Sequence, residues 1–524
     1  MLVLALAAGT VADAKTLDGR LHANMARRPS VPVVPLPNDG PVTSRNGTQL
    51  PPYNTTYYFE QLIDHTNPSL GTFQQRYWTT YEFYETGGPI ILFTPGEANA
   101  QRPVRSIQRI SHEPHHQRAD RAGAERRDDR ARAPLLRALE PVRRPVGAEP
   151  PVPHDPAGDR RLEYFAKNVD LPMPGGDAVK PGQAPWVLIG GSYSGALTSF
   201  TVVNKPNLFQ AAYASSAVVE SIVDYWGYFQ PILEWMPKNC SADVQAVIAH
   251  IDSVFTSGNQ KEINSIKALF NMSALTHLDD VAGALRNNLW DWQSLSPSSG
   301  GGLFFDFCDA LEVKNGVSAG PNGWGLQHAL QAWGSYWTNT YYALLCGDED
   351  AVTCLGTYDP TQEYWTDTAV DNAGRSWMWI VCNEVGFFQE GAPKGHPTIV
   401  TRLVQPPYDE RQCTYMFADA FKNLGHLPVP NVDATNKAYH GWFVQENHLF
   451  FANGHRDPWR EATLAADGTH FKSTPGQPLT ISDGFHCSDL STANAQVDST
   501  VLAVQQQALK TIAGWVAEWK PSKH

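Results

Sequence analysis

The chain has 524 residues, a formal net charge of −13 and a pI near 5.7; its length exceeds one small module and can bury a large core or two. Hydrophobic residues make up 42% and charged ones 18%, with 16 Trp, 19 Tyr and 22 Phe, which argues against a mostly disordered chain. Net acidity argues against a dedicated nucleic-acid binder, and past the start no apolar run reaches the ~18 residues of a transmembrane helix.

Leu2 to Ala8 is apolar, and Ala12-Asp13-Ala14 fits a small-residue cleavage site. Residues 1–14 therefore read as a signal peptide, although a charged n-region is missing. Residues 15–56, rich in Pro, Asn and Thr, read as a propeptide or exposed arm. N-x-S/T triplets at Asn46, Asn54, Asn239 and Asn271 fit export. Globular patterning begins near Tyr57. Short apolar runs at Ile90–Phe93, Trp186–Ile189 and Ala211–Ala214 suit buried strands of a parallel sheet. From about Val223 to Gly425 the pattern is mostly helical and holds six of the seven cysteines. Another strand follows at Leu449–Ala452. The chain closes with a helix carrying Val501, Val504, Ala508, Leu509, Ile512, Val516 and Trp519 behind the caps Ser499 and Thr500. Strands separated by a helical insert predict an α/β sheet domain in two parts, 57–222 and 426–524, interrupted by a helical domain over 223–425. In an exported chain most cysteines pair, and an odd count leaves one thiol over.

Residues 101–160 break this pattern. They hold 13 of the 25 arginines and no Lys, Phe, Tyr or Trp. Composition alone reads as a basic linker, yet an α/β fold needs a strand and helix here. Shifting the frame by one nucleotide from Glu113 to Arg161 permits a text containing Ala-Thr-Ile-Val-Leu-Glu-His-Arg-Phe-Phe-Gly, which rejoins the visible frame before Glu163-Tyr164-Phe165. The expectation is that 101–161 are frame-shifted. As written, the chain then lacks a strand beside the nucleophile strand, exposing a sheet edge. The transcript sequence decides between these readings.

Gly190-Gly191-Ser192-Tyr193-Ser194-Gly195 follows an apolar strand and precedes a helical run. A nucleophile elbow needs small residues around a serine at a crowded strand-to-helix turn. Gly190 and Ser194 meet that demand around Ser192, although Ser194 stands where the motif has glycine. Ser194 is the weaker nucleophile candidate, and a plain Gly-rich turn is the bland alternative. The Tyr193 N–H would serve as one oxyanion donor, with a second from the loop at Gly96-Glu97-Ala98. Base and orienting acid should follow in the order Ser, Asp, His. Asp457 lies just past the late strand, where sheet enzymes place catalytic groups, and His486 precedes the last helix. His455, Asp483 and Asp489 compete for these roles. No P-loop, H-E-x-x-H or paired CxxC spacing occurs, so neither metal nor cofactor is expected.

These pieces together resemble the S28 family of serine peptidases. The resemblance covers roughly 57–100 and 162–519. It rests on Phe59 to His65, Phe73 to Tyr77, Gly190-Gly191-Ser192-Tyr193, Trp377 to Glu384, Asn453-Gly454 with Asp457-Pro458-Trp459, and Gly484 with His486-Cys487. The run Thr94 to Asn99 looks most like the secreted fungal branch. The resemblance implies an α/β-hydrolase domain with an inserted, mostly helical cap. It implies hydrolysis after proline in peptide or protein substrates, without nucleic acid, membrane or cofactor, in an extracellular or vacuolar/lysosomal location. Trp377 and Trp379 match the block that lines the proline pocket in relatives, with cap core as the alternative. Glu97 and Glu384 match motif positions that meet a substrate amine or order loops; loop ordering is favoured for Glu384. The family's Glu-His-Arg block between the first strand and the elbow is absent from the visible frame and present in the shifted one. A lipase or esterase with the same triad, or a non-catalytic binding protein, are the competing classes.

Overall fold

The computed structural model of the chain describes residues 42–96, 135–138, 157–299, 301–368 and 373–521. Eight strands form one sheet: β1 (Tyr57–Leu62), β2 (Thr72–Thr80), β3 (Ile90–Thr94), β4 (Leu135–Ala138), β5 (Trp186–Gly191), β6 (Ala211–Ser215), β7 (Leu449–Gly454) and β8 (Leu479–Ser482). Their spatial order is β1-β2-β4-β3-β5-β6-β7-β8. The strands from β4 to β8 run parallel, and β2 is antiparallel to both its neighbours.

Side chains of β5 alternate between two cores, as the two-residue period of a strand requires. Trp186 and Leu188 face one core with α1 (Ala157–Asn168) and α2 (Tyr193–Asn204), while Val187 faces the other. That second core is closed by the C-terminal helix, Ser499–Ala517, through Val504, Ala508 and Trp515. The expected terminal helix is therefore present, with two differences. Its cap is Asp498, whose carboxylate accepts from the Thr500 and Val501 N–H groups, and Leu509 points to solvent while Trp515 is buried. The rest of the expected stripe holds: Val501, Val504 and Ala508 are buried, and Ile512 and Val516 pack against the same core.

The slot between β2 and β3 departs from expectation. Leu135–Ala138 pairs parallel with β3 and antiparallel with β2. The filled position is not beside β5, whose neighbours are β3 and β6, so the exposed edge expected next to the nucleophile strand does not occur there. Ladder hydrogen bonds are made by the backbone, and four residues suffice to close the gap. Residues 97–134 and 139–156, where most of the frame-shift reading falls, lie outside the described residues.

Before β1, Thr56 Oγ1 accepts from Trp78 Nε1 at 3.1 Å, and Leu50 is buried. Between β6 and β7 the chain is mostly helical. It includes α3 (Lys238–Ser257), α4 (Leu303–Glu312), α5 (Ala373–Ile380) and α6 (Pro406–Met416). This cap shares one continuous apolar cluster with the sheet. Its six cysteines pair as Cys240–Cys308, Cys346–Cys354 and Cys382–Cys413, leaving Cys487 as the buried free thiol.

Candidate active site

β5 ends in Gly190-Gly191, and α2 begins at Tyr193, so Ser192 alone makes the turn. Its backbone sits at φ 61°, ψ −129°, a conformation that side chains rarely adopt. The turn is crowded, which explains the glycines. A Cβ on Gly190 would lie 2.1 Å from the Ser194 carbonyl oxygen, and one on Gly195 2.7 Å from that of Ser215. The Ser192 N–H donates to the Ser215 carbonyl at the end of β6, at 2.9 Å. Ser192 itself is 7% exposed.

Ser194 has a different task. Its hydroxyl donates toward the Thr94 and Gly191 carbonyls at 2.8 and 2.9 Å, and its oxygen accepts from the Gly191 N–H at 3.1 Å. It pins the elbow to the end of β3, where Gly96 takes φ +79°. Tyr193 is the first residue of α2, so its N–H lies ahead of the intrahelical ladder. Glu97 lies outside the described residues.

β7 and β8 bring in the other two groups. His486 Nδ1 and Asp457 Oδ1 are 2.7 Å apart, and both side chains are fully buried. A carboxylate only accepts, so Nδ1 carries the proton in this contact. The remaining Asp457 bonds come from the Trp459 N–H to Oδ1 at 2.9 Å and from Asn453 Nδ2 to Oδ2 at 3.3 Å. Burial pushes the His486 imidazole toward neutrality, but the Asp457 carboxylate and the Cys487 sulfur beside it outweigh that, and its pKa stands well above the ordinary histidine value. His486 Nε2 is buried and has no hydrogen-bond partner among the described residues. It is the ring nitrogen left over for a substrate-side partner.

The two halves meet at the Ser215 carbonyl. It accepts the Ser192 N–H, and the Cys487 thiol approaches it at 3.9 Å. The Cys487 N–H in turn donates to Ser216 Oγ at 2.9 Å. The elbow and the residue after His486 are thus fixed to the same end of β6. Ser192 and His486, both described, form no direct hydrogen bond; such contacts are often long before substrate binds.

The competitors for the acid and base roles are engaged elsewhere. Asp489 accepts from Tyr213 Oη at 2.5 Å and from Ser215 Oγ at 2.8 Å, and burial pushes its carboxyl pKa up. Asp483 is exposed, with its N–H on Thr500. The His455 ring lies 6.2 Å from that of Trp235.

Trp377 and Trp379 part company because residues two apart on a helix do not share a face. Trp377 packs edge-on against Tyr193, centroids 5.2 Å apart, and its buried Nε1 has no partner among the described residues. Trp379 packs against Phe417 and Phe421 within the cap, at 5.0 and 6.2 Å. The Glu384 carbonyl accepts from Thr435 Oγ1 at 2.8 Å, tying its turn to the helix Val432–Tyr439. Sequence reasoning missed an aromatic wall beside Asp457. Trp459 packs against Phe387, Tyr228 and Tyr225 at 5.3, 5.3 and 5.6 Å, and 6.3 Å from the His486 ring. The Asp-Pro-Trp run was its only local signal, since the other rings come from the distant cap.

The family model described as serine carboxypeptidase S28 matches residues 178–292 and 306–509. The chain is 32% identical over 496 residues to "Serine protease vicPa" of Bipolaris victoriae, covering 89% of each chain. It is 30% identical over 493 residues to "Serine protease vicPb" of the same fungus, covering 88% of this chain and 89% of that one. Against "Probable extracellular serine carboxypeptidase" of Arthroderma benhamiae it is 28% identical over 494 residues, covering 85% of this chain and 64% of that protein.

Proposed function

The chain belongs to the serine carboxypeptidase S28 family, and from that premise we propose that it is an exported serine peptidase cleaving on the carboxyl side of proline through Ser192, His486 and Asp457. The observation that carries this reading is the buried 2.7 Å contact between His486 and Asp457 on loops beside the strained Ser192 turn. In the proposed reaction Ser192 Oγ attacks the acyl carbon of the scissile bond as His486 Nε2 takes its proton. The carbonyl oxygen becomes an oxyanion, met by the Tyr193 N–H and a second N–H at Gly96; losing one such donor typically costs ~2.7–4 kcal/mol in the transition state. His486 then returns the proton to the leaving amine. Water, deprotonated by the same ring, hydrolyses the acyl-enzyme and regenerates Ser192. Asp457 holds the ring tautomer and stabilises the imidazolium.

Two observations favour a proline ring at the scissile position. Trp377 covers Tyr193, and Trp459 with Phe387 forms a rigid apolar wall near His486. Flat aromatic faces suit a compact, rigid ring that loses little entropy on binding. Three disulfides and the likeness to the "Probable extracellular serine carboxypeptidase" of Arthroderma benhamiae support export. The test is fluorophosphonate labelling followed by cleavage-site mapping on a long proline-containing peptide, for the chain as written and in the shifted frame. Labelling at Ser192 and cuts after proline are expected from the frame-corrected chain. Labelling elsewhere, or cuts indifferent to proline, would overturn the reading; equal activity of both chains would remove the frame-shift.

A further inference from the structure

Two consecutive cap residues grip the loops that carry Asp457 and His486. Gln293 is 5% exposed, and its Oε1 accepts from Trp459 Nε1 at 2.9 Å and from Tyr228 Oη at 2.8 Å. Trp459 is the residue whose N–H holds Asp457 Oδ1, the oxygen that also meets His486. On the other side of Asp457, Trp292 Nε1 donates to the Arg456 carbonyl at 2.8 Å. The Trp292 ring packs edge-on against Phe485, 5.4 Å between centroids, immediately before His486. Trp292 is itself seated in the cap by Phe304, at 4.9 Å. The Asp457 loop is thus held on both flanks, and the His486 loop on one, by a single short segment of the inserted domain.

We propose that Gln293 is a positioning residue for this active site: it fixes the Trp459 side chain, through it the Asp457 carboxylate, and so the orientation and basicity of His486. The inference rests on the reading of Ser192, Asp457 and His486 given above. The physical argument is that one amide oxygen joins two donors from different parts of the fold in a buried setting. Removing that acceptor takes the partner from Trp459 Nε1 and one partner from Tyr228 Oη, and the Trp459 ring and the loop beneath it must shift. The site's glutamine is a cap residue, so the cap edge at 292–293 acts as part of the catalytic frame.

The test compares wild type with Gln293→Met, which keeps the volume but loses the acceptor, and Gln293→Glu, which keeps a carboxyl oxygen for both donors. Fluorophosphonate inactivation rate, the acid limb of kcat/KM against pH, kcat and KM separately, and the unfolding midpoint are measured. Gln293→Met is expected to lose up to ~100-fold in kcat and inactivation rate, the scale of a small misplacement of catalytic groups, with KM nearly constant. Its acid limb should move to lower pH, because a loosened Asp457 contact no longer raises the His486 pKa. Gln293→Glu should recover most of the rate. Should Gln293→Met fail to fold, Trp292→Phe, which removes the bond to the Arg456 carbonyl together with part of the ring contact, probes the same cap edge and is read the same way. A lowered unfolding midpoint with unchanged inactivation rate and acid limb would overturn the proposal. Wild type inert toward the probe in both reading frames would instead overturn the reading of Ser192, and the proposal with it.

Discussion

In the sheet, every strand from β4 to β8 is tied to its neighbours by a backbone ladder, and no disulfide joins described parts of it. In the cap, between β6 and β7, helices are stapled by three disulfides and packed around buried acids. Burial and nearby carboxylates push Glu390 up to about 12 and Glu312, beside Asp243, up to about 7; burial likewise lifts Asp280 to about 6. Arg286 and Asp409 form a fully buried ion pair at 3.1 Å. The contrast teaches a division of labour. The sheet is held by backbone ladders and carries Ser192, Asp457 and His486 on the turns after β5, β7 and β8. The cap supplies aromatic walls and a clasp, and its cohesion is expected to respond to both oxidation and pH.

The sharpest way to probe the sheet side is Asp457→Asn. It should lower kcat by ~10⁴-fold through loss of the correct tautomer, while the acid limb of kcat/KM moves to lower pH. The sign follows from the proposed base: in that mechanism neutral His486 is the active form, Asp457 raises its pKa, and removing that charge lowers it. An unchanged limb would mean another group titrates there. On the cap side, replacing Cys240 and Cys308 together by Ser should cost ~2–5 kcal/mol of stability in denaturant unfolding. The same change at Cys346 and Cys354 should cost less, because those bridges close separations of 68 and 8 residues respectively. A reversed order would show that strain, not chain constraint, governs the cap.

A smaller effect is expected at the seam of the elbow. Ser194→Ala removes the hydroxyl that ties Thr94 to Gly191 and should cost about 1–3 kcal/mol, read as a lower unfolding midpoint, with a partial loss of kcat if the second oxyanion donor is displaced. The smallest change is a slope. Glu312 has a raised folded-state pKa, so its contribution to stability is fully present below its unfolded value near 4.5 and is lost as pH rises through about 7. Glu312→Gln should flatten the fall in cap stability over that window. A slope identical to wild type would assign the dependence to another acid.

What was legible in the sequence was local. The elbow could be read because a strained turn demands small residues at fixed offsets, and the Asp457 and His486 loops because they follow or precede clear strands and helices. Ser194 could not be assigned its pinning role, since its partner Thr94 sits a hundred positions earlier. Trp377 and Trp379 were paired by motif, yet only the helix geometry shows that they look in opposite directions. Gln293, Tyr228 and Phe387 left no local mark. Their roles arise where the cap returns to the sheet, and no spacing rule in the sequence encodes that return. Strands β1 and β2, exposed along much of one face, alternate too weakly to stand out.

The pairing of β6 with β7 spans the whole cap: Leu449 lies opposite Ala212. At ~5–20 residues per second, translation of the chain between them takes roughly 12–50 s. For that interval the all-buried segment Ala211–Ser215 has been made and its outer edge has no partner, an open template for joining a neighbouring nascent chain. Ribosome pausing or slow oxidation within the cap would lengthen this exposure, so the yield of soluble protein should follow the speed of elongation and the supply of holdase chaperones more closely than it follows equilibrium stability.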